Sequence, residues 1–195
     1  MKRLILASGS PRRKQLLTQV SLSFDISVST VDESIDNHLT PEEAVQSLAL
    51  RKANDVASRF ADAVVLGADT IVSVDGSMLG KPRDAQEAKA MLRCLSGRQH
   101  TVYTGVALVS AEQTSHFYAE TEVRFWDLTE DDLDGYISSG EPFDKAAGYG
   151  IQGLGATLVK EIQGDYYTVV GLPLSRTVRA LRNFGITTRS VTENN

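Results

Sequence analysis

The hydrophobic pattern of the chain switches between a two-residue period and a helical period, and so predicts strands alternating with helices. Apolar stripes at helical spacing begin at Ser, Thr or Asp caps. Alternating or continuous apolar runs between the stripes are typical of half-buried or buried strands. The predicted strands cover residues 4–7, 23–29, 63–68, 70–74, 100–110, 116–128, 157–162 and 166–170, the predicted helices cover residues 11–19, 41–60, 85–95, 129–138 and 174–184, and residues 191–195 are a polar tail expected to fray.

This order of elements predicts an α/β fold with a mixed, strongly twisted sheet and helices packed on it. A chain of 195 residues can bury one good core or form two lobes. With 42% apolar and 23% charged residues, the composition is that of a globular protein and argues against disorder. We therefore expect one domain over residues 1–195, formed by two lobes around a single cleft.

The overall charge and the few cysteine and histidine residues exclude several classes of function. A formal net charge of −5 argues against a surface for binding nucleic acid polymers. No apolar run approaches the roughly 20 residues of a membrane span, so no membrane partner is expected. The single Cys94 excludes an intrachain disulfide, and the three histidines are too scattered for a histidine zinc site. We expect a cytoplasmic protein.

The loop after the first strand carries the first candidate chemistry. Ser10 is a suitable N-cap and Pro11 suits the first helical position, so the preceding Ser8 and Gly9 lie at the positive end of a helix dipole. The following Arg12 and Arg13 match phosphate oxygens with forked donors. The loop is either a polyphosphate cradle or an ordinary strand-to-helix turn with two solvated arginines.

Two acidic positions are candidates for a base or a metal ligand. Asp69 interrupts an apolar stretch and is flanked by small residues, which indicates a functional carboxylate; the alternative is a turn between two strands. Glu33 follows Asp32 in a polar loop, where paired acids are usually solvated. Glu33 would matter if the fold returned it to the first loop, where a carboxylate could hold a metal ion against phosphates.

Basic residues outside the first loop extend the candidate anion site. Lys52 lies on or beside the apolar stripe of the second helix, where it either extends its ammonium to solvent or reaches an anionic ligand. Lys81 and Arg83 lie in an exposed loop before the third helix. Together with the arginines of the first loop they indicate that cations gather at one place in an acidic protein.

The glycine-rich loop (residues 144–153) is the last candidate. Its small residues permit close approach of a ligand. Gln152 offers the donor–acceptor pair suited to a base edge, and Tyr149 either stacks on a ligand or packs in the core.

Five ordered motifs together resemble the Maf family of nucleoside triphosphate pyrophosphatases, over essentially the full chain. The resemblance implies a fold similar to that of the inosine-triphosphate pyrophosphatases. Within the family, the chain resembles the branch that acts on dTTP and UTP, because that branch carries the equivalents of Arg12, Thr70 and Gln152. The motifs are residues 6–13, 67–70, 80–84, 144–153 and 170–173.

The resemblance implies hydrolysis of dTTP and UTP to a nucleoside monophosphate and pyrophosphate, with Asp69 accepting a proton from the attacking water. It also implies a divalent cation, Mg²⁺ or Mn²⁺, for which Asp69 and Glu33 are the candidate ligands, a homodimer, and a role in cleaning the nucleotide pool or arresting division. The implied substrate-binding residues are Ser8, Arg12, Arg13, Lys52, Thr70, Lys81 and Gln152.

Three other functions fit the same residues. A nucleotide-binding regulator of septum formation would need the cradle but no chemistry at Asp69. A pyrophosphatase for another, modified or purine nucleotide would keep the chemistry and change the base contacts, and a sugar-phosphate phosphatase would release orthophosphate instead of pyrophosphate.

Overall fold

The structure, a computed structural model, describes residues 2–36 and 38–188, so the predicted tail over 191–195 lies outside it. Its described part confirms the predicted α/β class. The elements are β1 (Arg3–Leu6), α1 (Pro11–Gln19), β2 (Asp25–Ile26), α2 (Pro41–Ala57), β3 (Ala63–Val74), β4 (Ser77–Leu79), α3 (Ala85–Leu95), β5 (Gln99–Val109), β6 (Thr114–Phe125), α4 (Glu130–Ser138), β7 (Val159–Gly164), α5 (Tyr166–Val170) and α6 (Leu174–Arg182).

The seven strands found in the described residues form one mixed, twisted sheet. Six of them follow the order β2-β1-β3-β5-β6-β7, and β4 pairs with β3 outside that path. Strand β1 runs parallel to both β2 and β3, with Leu6 opposite Leu66, whereas β4 is antiparallel to β3 and β7 is antiparallel to β6. Parallel pairs need crossover connections, which α1 and α2 supply.

The chain divides into two compact units. The first unit contains the described parts of residues 1–69, 105–118 and 171–195, and the second unit contains residues 70–104 and 119–170. The chain passes from one unit to the other inside strands β3, β5 and β6. The predicted cleft stays a prediction.

Close packing of α2 on the sheet organises the first unit. A Cβ at Gly67 would lie 2.3 Å from the Ala49 carbonyl oxygen, and one at Gly105 would lie 2.3 Å from that of Val45. Only glycine at these strand positions lets the helix backbone approach so closely. The apolar stripe of α2 is buried against this surface, and its N-terminus carries the predicted capping box.

The second unit contains the predicted β3–β4 hairpin. Asp75 and Gly76 both have positive φ, 49° and 77°, as a two-residue turn of this type requires. The predicted cap of α3 at Asp84 and the capping box that begins α4 at Thr129 are also present. Across the described residues, no helix combines the length and apolar character that a membrane span requires.

The strand predicted over 166–170 is wrong: these residues form helix α5. Aromatic and β-branched residues favour strands, but Asp165 overrides that preference locally. Its Oδ1 accepts from Tyr167 N at 3.0 Å and its backbone oxygen accepts from Thr168 N at 3.1 Å, which closes a helical turn.

Two further strand predictions need correction. The half-buried strand over 23–29 shrinks to Asp25–Ile26 at the end of the strand order, where Ile26 and Val28 are 46% and 52% exposed. The predicted strands on either side of Asp69 are one continuous strand, β3, so Asp69 does not occupy a turn.

Candidate active site

The first loop is built as the sequence predicts, with one difference. Ser10 caps α1 and its side chain accepts from Arg13 N, and Pro11 is the first helical residue. Ser8 is buried, and its Oγ accepts from Ser10 N at 3.2 Å. The difference is Arg13, which is not solvated but buried, with 9% of its surface exposed.

Arg13 is held by a residue far along the chain. Its Nε donates to the Gly171 carbonyl oxygen at 2.8 Å and its Nη1 donates to Ser8 Oγ at 3.1 Å. Burial lowers the pKa of the guanidinium, and the negative charges of Asp69 and Glu33 oppose that shift. Arginine keeps its proton even so, which leaves a fixed positive charge beside Asp69.

Lys52 brings the two candidate carboxylates together. Its Nζ lies 2.7 Å from Asp69 Oδ1 and 2.8 Å from Glu33 Oε1. The side chains of Lys52 and Asp69 are 10% and 13% exposed, and that of Glu33 is 55% exposed. Lys52 thus does not extend its ammonium to solvent. It forms ion pairs with both Asp69 and Glu33. We call Arg13, Glu33, Lys52 and Asp69 the charged cluster.

The charged cluster offers oxygen ligands of the kind that Mg²⁺ and Mn²⁺ take. One oxygen each of Glu33 and Asp69 contacts the same ammonium, so both lie within reach of a single cation. In residues 2–36 and 38–188, no group of three or more His, Cys, Asp and Glu side chains could hold a metal ion. Two carboxylates completed by phosphate oxygens are a usual Mg²⁺ environment, so the donor set fits.

Thr70 lies on the opposite face of strand β3 from its neighbour Asp69. Neighbouring residues of a strand point to opposite faces, and Asp69 shares its face of β3 with Gly67, against α2. Thr70 Oγ1 lies 2.9 Å from Thr104 Oγ1, which in turn donates to the Thr168 carbonyl oxygen at 2.8 Å. We call Thr70, Thr104 and Thr168 the hydroxyl chain.

The direction of the hydroxyl chain follows from its last bond. A carbonyl oxygen only accepts, so the single hydroxyl proton of Thr104 is used on Thr168. The bond between Thr70 and Thr104 must therefore be donated by Thr70.

Two loops of the second unit carry Lys81 and Gln152. Ala147 N donates to the Gly80 carbonyl oxygen at 2.8 Å, which ties the glycine-rich loop to the loop of Lys81. Lys81 is exposed and Gln152 is partly buried. Just beyond Gln152, Glu141 Oε1 accepts from Leu154 N at 3.0 Å and so fixes the end of the glycine-rich loop.

Tyr149 packs in the core of the second unit. It is 5% exposed, and its hydroxyl lies 2.6 Å from His100 Nε2. Its ring meets those of His100 and Phe125 edge to face. Burial lowers the pKa of His100 to about 4, so this imidazole is neutral near pH 7.

The structure places Ser8, Arg12, Arg13, Glu33, Lys52 and Asp69 in the first unit and Thr70, Lys81 and Gln152 in the second. Sequence reasoning missed Thr104 and the Gly171 carbonyl. The sequence did indicate Thr104, because it occupies the same alternating positions of strand β5 as Val102, Val106 and Leu108. In the structure it is fully buried with them. The role of a backbone carbonyl leaves no such signal.

Comparison with known proteins gives relatives that match nearly end to end. A protein of Bacillus cytotoxicus named dTTP/UTP pyrophosphatase is 57% identical over 184 residues, which is 94% of this chain and 96% of that protein. One from Bacillus cereus strain G9842 with the same name is 56% identical over 186 residues, 95% and 97% of the two chains. Among solved structures, the Staphylococcus aureus Ham1 protein aligns with 65% of this chain and 73% of that chain at 15% identity and a TM-score of 0.46.

The sequence model described as Maf-like protein matches residues 3–184. That match spans both units, all five motifs and every candidate site residue. With relatives more than half identical over nearly the whole length, the chain belongs to the Maf family.

Proposed function

We propose that this chain hydrolyses dTTP and UTP to the nucleoside monophosphate and pyrophosphate. The relatives that share more than half of its residues are named dTTP/UTP pyrophosphatases. The observation that carries the chemistry is Asp69, a carboxylate whose side chain is only 13% exposed, held by Lys52 in the middle of β3.

Asp69 acts as the general base in this proposal. It accepts a proton from a water molecule whose oxygen attacks the α-phosphorus. The new phosphorus–oxygen bond forms as the bond from the α-phosphorus to the α,β-bridging oxygen breaks, and that oxygen leaves with pyrophosphate. Lys52 and the buried Arg13 support the role, because Lys52 contacts the carboxylate and the charge of Arg13 interacts electrostatically with it.

The cations of the site neutralise the triphosphate and the charge that develops on pyrophosphate. Arg12 at the start of α1 and Lys81 of the second unit bind phosphate oxygens. Ser8 and Arg13 shape the first loop through their mutual hydrogen bond. Lys52 adds a positive charge in contact with the proposed base, Asp69.

Glu33 and Asp69 would hold the divalent cation, Mg²⁺ or Mn²⁺. When bound, it would supply positive charge to the phosphate oxygens. The convergence of both carboxylates on one ammonium supports this assignment. The homodimer, the cytoplasmic location and the role in the nucleotide pool or in division remain predictions.

Selection of the pyrimidine is assigned to Gln152, Thr70 and Arg12. The glutamine amide can pair with the oxygen and N–H edge that uracil and thymine share, and one ring methyl changes affinity little. Thr70 faces away from Asp69, so in this proposal it contributes through the hydroxyl chain and the placement of β3.

A product assay with a panel of nucleotides tests the proposal. Wild type, Asp69→Asn and the control Asp134→Asn are incubated with Mg²⁺ and dTTP, UTP, CTP, GTP, ATP or 7-methyl-GTP. Asp134 is an exposed residue of α4, so its variant controls for loss of a carboxylate. We expect pyrophosphate from dTTP and UTP, and a fall in kcat of about a thousandfold in Asp69→Asn alone.

The other outcomes separate the alternatives. Turnover of 7-methyl-GTP or another purine nucleotide in place of dTTP and UTP would contradict the assignment of a pyrimidine substrate. It would leave the proposed hydrolysis at the α-phosphorus unchanged. Nucleotide binding without turnover would favour the regulator of septum formation.

A further inference from the structure

The ammonium of Lys52 lies where a cation shared by Glu33 and Asp69 would lie. Its Nζ is within 2.8 Å of one oxygen from each carboxylate. A divalent ion on the same two oxygens would have to displace this ammonium or stand within a few ångströms of it, where like charges repel strongly at low dielectric. Lys52 and a divalent cation therefore compete for the same two carboxylates.

The fold holds the ammonium in this position. The whole Lys52 residue is 8% exposed, and it lies on the face of α2 that packs on the sheet. Gly67 lets that face come close to β3, two residues before Asp69. The packing of α2 on the sheet thus determines the position of the ammonium, because the Lys52 side chain is buried and not free at the surface.

The surrounding charges add to this competition. Arg13 is buried and interacts electrostatically with Asp69, Arg12 and Glu33. Against the two carboxylates stand Lys52, which contacts both, and Arg13, which interacts electrostatically with both, so the protein alone offers a divalent cation little attraction. A triphosphate reverses this balance, because its oxygens give the ammonium and guanidinium groups other partners.

We infer that Lys52 is a built-in competitor of the divalent cation, so that Glu33 and Asp69 bind the cation only together with the triphosphate. The inference rests on the proposed function, and it assigns the substrate as the cation–nucleotide complex. It also gives Lys52 a second role besides neutralising phosphate. Mg²⁺ is usually bound through one or two carboxylates plus substrate phosphates, which agrees with this order of binding.

Titration of the protein alone with Mn²⁺ tests the inference, with the free ion followed by electron paramagnetic resonance. The variants are Lys52→Met, which keeps the apolar stem, and Lys52→Gln, which keeps hydrogen-bonding capacity without the charge. The control is Lys14→Met, which removes an exposed lysine of α1. Thermal melts establish that each protein is folded.

Wild type and Lys14→Met are expected to bind Mn²⁺ with Kd weaker than about 1 mM. Both Lys52 variants are expected to bind it about tenfold more tightly or better, and adding Asp69→Asn to Lys52→Met should abolish the gain. Equal affinity in wild type and a folded Lys52 variant would overturn the inference. So would micromolar binding by wild type, a result that needs no variant to fold.

The assay contains no nucleotide, so its outcome is independent of turnover. A protein that fails to hydrolyse dTTP can still show the Lys52 effect, and an active pyrophosphatase can lack it. Failure of the inference and failure of the proposed function are thus distinguishable.

Discussion

The charged cluster of the first unit and the hydroxyl chain of the second unit hold their residues by different means. In the charged cluster, Lys52 contacts Asp69 and Arg13 interacts with it electrostatically, and both cations are largely buried. In the hydroxyl chain, neutral groups are fixed by the direction of two hydrogen bonds. Charges suit a site that must bind a polyanion, because they act over distance, whereas neutral hydrogen bonds demand the right donor and acceptor.

The comparison predicts that substitutions in the charged cluster cost both stability and activity. Arg13→Met should lower the free energy of unfolding by about 3 kcal/mol, because it removes charge-assisted hydrogen bonds to Gly171 and Ser8 and a charge beside Asp69. It should also lower kcat/KM for dTTP by about a hundredfold. Urea denaturation and steady-state kinetics measure the two effects.

Lys14→Met on the same helix serves as the matched control for Arg13→Met. The free energy of unfolding of Arg13→Lys should fall between the values for Arg13→Met and Lys14→Met. Lysine keeps the positive charge but loses the forked hydrogen-bond donors of the guanidinium. Equal stability of Arg13→Met and Lys14→Met would contradict the importance of the buried guanidinium.

The second unit holds a buried titratable group that should weaken the fold in acid. The folded-state pKa of His100, about 4, is below its ordinary value of 6.5 because burial disfavours the imidazolium. Between these values the unfolded chain binds a proton that the folded chain does not, so stability falls as pH falls through this window. The loss attributable to His100 is about 3 kcal/mol by pH 4.

His100→Gln, which keeps a polar group near Tyr149, should remove this part of the pH dependence. The measurement is the free energy of unfolding at several pH values from 7 to about 4 in both proteins. Parallel pH profiles for the variant and wild type would show that His100 is not the group responsible.

Substitution in the hydroxyl chain should give the smallest effect and one that is insensitive to salt. Thr104→Val deprives the Thr168 carbonyl of a donor and Thr70 of an acceptor. Thr177→Val is the matched control, because Thr177 is also fully buried and its hydroxyl donates to the Pro173 carbonyl oxygen at 2.9 Å.

We expect Thr104→Val to cost about 1 kcal/mol more than Thr177→Val, because two polar partners instead of one lose a hydrogen bond. The difference should be the same at low and high salt, as denaturation at both would measure. A strong salt dependence would remove the distinction between the two regions.

Local features of the fold could be predicted from the sequence, and distant ones could not. The cap at Ser10, the capping box at Thr40 and the Asp75-Gly76 turn depend on a few neighbouring residues, and all three are confirmed. The strand predicted over 166–170 failed where one side chain, Asp165, outweighed strand propensity.

The candidate site shows the same limit. Asp69 stood out because it interrupts an apolar stretch, whereas Glu33 was a candidate only if the fold returned it to the first loop. In the structure Glu33 and Asp69 both contact Lys52, and these contacts depend on how closely α2 packs on β3. The burial of Arg13 depends on Gly171, 158 residues away in the chain, which no local pattern reveals.

Hydrolysis of dTTP in water labelled with oxygen-18, followed by mass spectrometry of both products, tests most directly whether water attacks the α-phosphorus. If Asp69 activates water for this attack, one labelled oxygen should appear in dTMP and none in pyrophosphate. Label in pyrophosphate, or release of dTDP and orthophosphate, would contradict the proposed chemistry.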